Sequence, residues 1–265
     1  MVRRIPTGFL YRLVAGILLT GLMGCGDDAP DPEGVADGDG NYYPTVVIGQ
    51  QEWFAENLRT TVYADGSPVS GQLGSLTVPG ATEGAYGVYP HDGGYLEGDL
   101  AGIGSDEEMV AAYGLLYNWH AVNDSRGLCP DGWRMPGEGD WRALVDYLIE
   151  HDDGVSAGNV ASSLKSCRQV DSPLGGDCDK STHPRWDFDP RRFGTDDYGF
   201  SALPGGMYTS DGVFSRIGRE GAWWSSSEVS SSAAWLTRMS AGLGDVYITD
   251  YPVGAGAAVR CMRDH

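Results

Sequence analysis

The sequence predicts an α+β domain, largely antiparallel sheet, with one main amphipathic helix and long loops. Three observations predict it. Trp141, Leu144, Val145, Leu148 and Ile149 recur at i, i+3, i+4, i+7 and i+8, which stacks apolar side chains on one side of a 3.6-residue helix. Short apolar or β-branched runs separated by turn residues fill the last third of the chain, as hairpins require. Forty glycines and eight tryptophans suit many turns around an aromatic core.

Residues 1–24 are read as a lipoprotein signal, outside the fold. Arg3, Arg4 and Arg12 supply the positive end, and Leu13 to Met23 is an apolar run too short to span a bilayer comfortably. Leu22-Met23-Gly24-Cys25 reads as a lipobox, so Cys25 is the expected lipidation site and the membrane the expected partner; in an ordinary secretory signal Cys25 is a bystander. Residues 25–40 are expected to be an acidic flexible tether, too poor in apolar residues to offset chain entropy. Asp37, Asp39 and Asn41 have the first spacings of an EF-hand loop, but Tyr42 stands where glycine is needed and Ile48 where the bidentate glutamate belongs. The acidic stretch resembles surface-export signals of some Bacteroidetes lipoproteins, which implies an outer-membrane lipoprotein at the cell surface; the alternative faces the periplasm.

The formal charge is −19, and losing a signal with three arginines and no acid takes it to about −22. So acidic a chain argues against nucleic acid and against adhesion to anionic lipid by charge. Four cysteines follow Cys25. They read as two disulfides with three pairings open. Cys167 and Cys178 flank a Gly-, Pro- and Asp-containing segment and are expected to close a local loop, leaving Cys129 with Cys261. A Cys₄ zinc site is disfavoured because no Cys-x₂-Cys pair exists.

Residues 41–265 are expected to form the domain. Thr45 to Ile48, a Gly49-Gln50 turn and Glu52 to Ala55 read as a hairpin. Residues 61–106 read as a long surface loop with short strands. Tyr113, Leu116, Tyr117 and Trp119 or His120 fall at helical spacing, and Tyr117 to His120 reads as a short helix or a strand end, the helix being preferred. The main helix follows Pro136 and Gly137, with Glu138 and Asp140 in a first turn that favours negative charge. Val160 to Lys165 is a further half-turn element. Phe200 to Tyr208 reads as a strand running into a Pro-Gly-Gly turn. Five strands come after it: 213–217, 221–226, 234–239, 246–249 and 257–262.

Seven ordered motifs carry a resemblance: Asn41-Tyr-Tyr-Pro-Thr-Val-Val-Ile-Gly49, Trp53-Phe-Ala-Glu-Asn-Leu58, Tyr113-Gly-Leu-Leu-Tyr-Asn-Trp119, Cys129-Pro-Asp-Gly-Trp133 with Pro136 and Trp141, Gly199-Phe-Ser-Ala-Leu-Pro-Gly-Gly206, Trp223-Trp-Ser-Ser-Ser-Glu228 and Val259-Arg-Cys261. Over residues 40–264 the chain closely resembles the Fibrobacter succinogenes major paralogous domain of surface and secreted proteins. Trp133 to Trp141 also looks like the helix entry of the formylglycine-generating enzyme family. That link implies a C-type lectin-like fold, with twisted antiparallel sheets and termini brought together. The resemblance puts Ser or Thr where Gly137 stands, a change worth a few tenths of a kcal/mol at a cap. Residues 85–110 and 165–195 look like insertions.

No nucleophile elbow, P-loop or HExxH helix is present. His120 reads as a packed or capping residue. The formylglycine enzymes use two reactive cysteines near the chain end, whereas Cys261 stands alone there, so a formylglycine-generating-like oxidoreductase is only the alternative function. Asp187, Asp189, Asp196 and Asp197 are the candidate calcium ligands, against the reading of a solvated acidic loop. No other cofactor is expected. The adjacent Trp223 and Trp224 point to opposite faces of a strand, which would leave one free to stack on a sugar. The expected function is a non-enzymatic, lipid-anchored surface binding or structural module, its ligand a polysaccharide or a surface protein.

Overall fold

A computed structural model describes residues 34–74, 82–92, 100 and 102–264. The signal, Cys25 and the tether as far as residue 33 lie outside them. The fold begins earlier than the expected tether boundary at 40: β1 (Val35–Ala36) pairs antiparallel with β2 (Tyr42–Tyr43). Carboxylates rather than apolar burial close this loop. Asp37 accepts the amides of Asp39 and Asn41 at 2.9 Å each and the Tyr43 hydroxyl at 2.5 Å. Asp39 accepts the amide of Thr61 at 2.5 Å and its hydroxyl at 2.9 Å. A tether reading based on low hydrophobicity misses this, because charged groups here bond backbone donors.

The expected hairpin is present as β3 (Thr45–Ile48) and β4 (Gln51–Phe54), with Ile48 opposite Gln51 across Gly49-Gln50. Gly49 has φ +62, and a Cβ there would sit 2.8 Å from the Tyr147 ring. Short strands β5 (Gly71–Gln72) and β6 (Ala85–Gly87) follow. Helix α1 (Asp106–Tyr113) starts at Ser105, whose side chain accepts the Glu108 amide, and stops at Gly114. There the expected helical spacing breaks. Leu116–Asn118 is a buried strand, β7, and only Trp119–Val122 is helical, as α2. The Asn118 side chain imposes the switch: its oxygen accepts the amides of Ala121 (3.0 Å) and Ala85 (2.9 Å), capping a helix and tying a strand at once.

After β8 (Trp133–Arg134) comes the main helix, α3 (Glu138–His151). Trp141, Leu144 and Leu148 are fully buried and Val145 and Ile149 half-buried, as the periodicity requires. Helix α4 (Val160–Leu164) and a 3₁₀ turn (Gly176–Cys178) precede β9 (Gly205–Tyr208). Residues 200–204 are not part of that strand, because Asp196 bonds the amide and hydroxyl of Ser201 and holds it at φ +52. The chain then runs through β10 (Phe214–Ile217), β11 (Glu220–Ser230), β12 (Ala233–Ser240) and β13 (Tyr247–Pro252). The last expected strand is split between two sheets as β14 (Gly256–Ala257) and β15 (Met262–Arg263).

Among the described residues the larger sheet runs β13-β12-β11-β9-β14-β7-β6-β5, with β10 beside β9. Most pairings are antiparallel; β9 with β11 and β5 with β6 are parallel. The smaller sheet runs β3-β4-β15-β8, so the β3–β4 hairpin and the last strand share it. Disulfides join Cys129 to Cys261, 132 residues apart, and Cys167 to Cys178. The longer bridge contributes ~4 to 5 kcal/mol in the chain-entropy picture.

Candidate functional site

The motif residues converge on a buried knot. Asn57 is its centre. Its side-chain oxygen accepts Trp223 Nε1 at 2.8 Å and Arg260 Nε at 3.0 Å, and its amide donates to the Tyr113 carbonyl at 2.9 Å. Trp141, Trp53 and Phe200 pack against one another and Trp141 against Trp223, with ring centroids 4.8 to 6.3 Å apart. Strand β11 is buried on both faces, so Trp223 and Trp224 are each 0% exposed. They do point opposite ways, but each enters a core, and Trp224 Nε1 donates to the Tyr117 carbonyl at 2.7 Å. Neither ring is available to a sugar; that expectation is corrected.

The calcium expectation fails for a different reason: the four carboxylates are already engaged, each in its own way. Asp187 pairs with Arg185 at 3.1 Å and Arg219 at 3.3 Å. Asp189 accepts the amides of Arg191 (2.8 Å) and Arg192 (2.7 Å), closing a turn. Asp196 holds Ser201, and burial pushes its carboxyl above the usual range. Asp197 takes the Thr195 hydroxyl at 2.6 Å. No three His, Cys, Asp or Glu side chains gather as a metal group among the described residues.

Asp187 and Asp189 instead flank a binding-shaped surface. Two clefts of about 310 and 530 Å³ adjoin, sharing Asp189 and Gly242. Their walls are the 187–192 segment, the 216–220 turn and the 240–245 loop. Phe188 stands at the rim, 53% exposed, and Leu243 is also exposed. Six of the chain's eighteen lysines and arginines gather here: Arg191, Arg192, Arg216 and Arg219 in the walls, Arg238 beside Glu220, and Lys165 beneath. Asp187, Asp189, Glu220 and Asp245 line the same walls, so the clefts interleave both signs of charge within a chain of −19. Glu220 is buried, bonded to Arg216 at 2.7 Å and 3.5 Å from Arg238. Arg216 has φ +69, strained for a residue with a Cβ, and lies between the pairs Ser215–Met207 and Ile217–Gly205, opposite Gly206, also at φ +69. A Cβ on Gly206 would sit 2.5 Å from the Ser215 carbonyl, so the backbone opposite Arg216 needs glycine there.

A third concavity, about 460 Å³, is lined by residues including Glu56, Arg59, Glu108, Tyr113, Arg168 and His183. Tyr113 and His183 are hydrogen-bonded, and the phenol also accepts the Arg185 amide at 3.1 Å. Burial keeps Tyr113 protonated well beyond its ordinary range, so it links the 183–185 segment to α1 rather than serving as a base. His120 is half-buried, and burial lowers its pKa.

Residues 46–263 match the family described as the Fibrobacter succinogenes major domain. The chain belongs to that family. No curated protein and no solved structure matches it. In this Fibrobacter succinogenes major domain the sequence motifs build the knot and the helix entry, while the charged clefts come from segments between the motifs. Phe188, Arg216, Arg219 and Lys165 were not singled out from sequence. The available signal was an Asp-Phe-Asp triplet, which places an aromatic between two solvated carboxylates, and a lone lysine ending an otherwise uncharged helix.

Proposed function

We propose that this chain is a non-enzymatic, lipid-anchored module of the outer membrane, displayed at the cell surface, that binds a polysaccharide through the paired clefts. The observation that carries the reading is Phe188, an aromatic ring exposed in the wall of the larger cleft beside the Asp187–Arg219 and Glu220–Arg216 pairs. A flat apolar ring stacks on the C–H face of a sugar, and fixed ion pairs offer donors and acceptors to neighbouring hydroxyls. Strain at Arg216 supports the same assignment, since sparsely populated backbone conformations cluster where ligands are gripped. The lipid anchor rests on the Leu22 to Cys25 motif and the surface address on the acidic stretch after it. A C-type lectin-like classification is favoured by α3 together with a sheet that joins the β3–β4 hairpin to the last strand. Bonding of Cys261 to Cys129 argues against a formylglycine-type thiol reaction, which needs a free cysteine near the chain end.

The test is an array of neutral and uronic-acid polysaccharides, with surface proteins as a second panel, probed with wild type and Phe188→Ala. The reading expects saturable polysaccharide binding that weakens at least tenfold in Phe188→Ala while the melting point stays within about 1 °C, because an exposed ring contributes little to folding. Binding to a surface protein alone, or binding unchanged by the substitution, refutes it.

A further inference from the structure

Beneath the clefts lies a lysine with an unusual set of partners. Lys165 follows α4, whose Val160, Ala161 and Leu164 are buried, and the lysine itself is 1% exposed. Its stem approaches Trp186, with Nζ 5.2 Å from the ring centroid. Nζ donates to the carbonyls of Arg192, Ser240 (3.1 Å), Ala241 (3.3 Å) and Leu243 (3.2 Å). An ammonium has three protons, so four surrounding oxygens resemble a coordination shell more than a set of separate hydrogen bonds. No carboxylate bonds it among the described residues; the charged ends of Asp189 and Arg192 act on it through their fields, in opposite senses.

A shell of uncharged carbonyls is the chemistry that replaces the hydration of a monovalent cation. The oxygens come from two loops, 189–195 and 240–244, which also wall the clefts. The loops are packed too closely for much adjustment: Gly244 accepts the Ala161 amide at 2.8 Å, and a Cβ on it would lie 2.1 Å from the Gly158 carbonyl. We infer that these four carbonyls are a monovalent-cation site occupied by the chain's own ammonium, which clamps both cleft loops. This inference stands apart from the ligand reading.

The test compares wild type, Lys165→Ala and Lys165→Met by thermal melting in tetramethylammonium, sodium, potassium, ammonium and methylammonium chloride at equal ionic strength. Lys165→Ala vacates the shell, whereas Lys165→Met fills it with a neutral chain. Wild type is expected to melt at one temperature in all five salts. Lys165→Met melts lower, by roughly 5 °C or more, irrespective of the salt. Lys165→Ala also melts lower, but recovers several degrees in potassium, ammonium or methylammonium relative to tetramethylammonium. A salt-independent Lys165→Ala, or a Lys165→Met as stable as wild type, overturns the inference. If Lys165→Ala does not fold, trypsin cleavage after Arg191 or Arg192 decides: at least tenfold faster cutting in Lys165→Met supports the clamp, and equal rates overturn it.

Discussion

Lys165 and Arg260 solve the same problem in the same way. Each is a cation 1% exposed, and each spends its donors on backbone or amide oxygens instead of a carboxylate. Arg260 reaches Asn57, Phe200 and Ser201 and lies 4.4 Å from the Phe200 ring centroid. Burial pushes Lys165 down from 10.5 to about 8. The unfolded chain therefore binds a proton that the folded chain has released between pH 8 and 10.5. Stability gains from Lys165 as pH rises through that window, and below it the buried charge costs about 3 kcal/mol relative to a solvated lysine. Above pH 10 the buried tyrosines act in the opposite sense, because burial raises their pKa values and they resist ionising. Urea midpoints are thus expected to climb between pH 8 and 10 in wild type and to stay flat in Lys165→Met. Parallel profiles would show that the lysine does not titrate there. Neither cation was legible as buried, because composition rules place lysine and arginine outside and the carbonyls that pay for them belong to distant segments.

At the scale of the element, α3 shows what periodicity reads and what it misses. Its apolar stripe and its boundaries near Gly137 and His151 follow from local spacing. Its cap does not. Gly137 appears to sequence reasoning as a weakened cap, yet the Ser227 hydroxyl of β11 accepts the Glu138 amide at 3.0 Å from 89 residues away. Asp140 closes the other side, accepting the Gly137 amide at 2.7 Å and pairing with Arg134 at 2.7 Å. Burial alone would raise the Asp140 carboxyl; Arg134 and the Gly137 amide together outweigh it and lower its pKa. A Cβ on Gly137 would lie 3.3 Å from the Ser227 oxygen, so the glycine leaves room for the borrowed cap. Ser227→Ala is expected to cost about 1 kcal/mol in chemical unfolding, and Gly137→Ser to bring no gain. A stabilised Gly137→Ser would mean that the cap is incomplete as it stands. The helix expected from Tyr117 starts at Trp119 and the strand expected from Phe200 starts at Gly205 for a related reason: Asn118 and Asp196 set the backbone through side-chain bonds that apolar spacing does not register.

Across the whole molecule, the architecture and the proposed recognition surface occupy different stretches of chain. The hairpin, the main helix and the order of motifs were readable because local patterns and turn residues specify them. The knot that the motifs build, around Asn57, Trp223 and Arg260, needs residues 203 positions apart to meet and emerges only in three dimensions. The clefts were least readable: Asp187 and Asp189 were marked for their charge, but Arg219, which pairs with Asp187, arrives from the turn after β10, and Glu220, which takes Arg216 of β10 and Arg238 of β12, was not marked at all. The account therefore rests on recognition at the 187–192, 216–220 and 240–245 segments. Amide hydrogen exchange of the mature protein, with and without the polysaccharide that binds it best on the array, tests this most directly. Slowed exchange is expected in those three segments, with the surroundings of Tyr113 and His183 unchanged. Protection centred on Tyr113 and His183, with the three cleft segments unaffected, would contradict it.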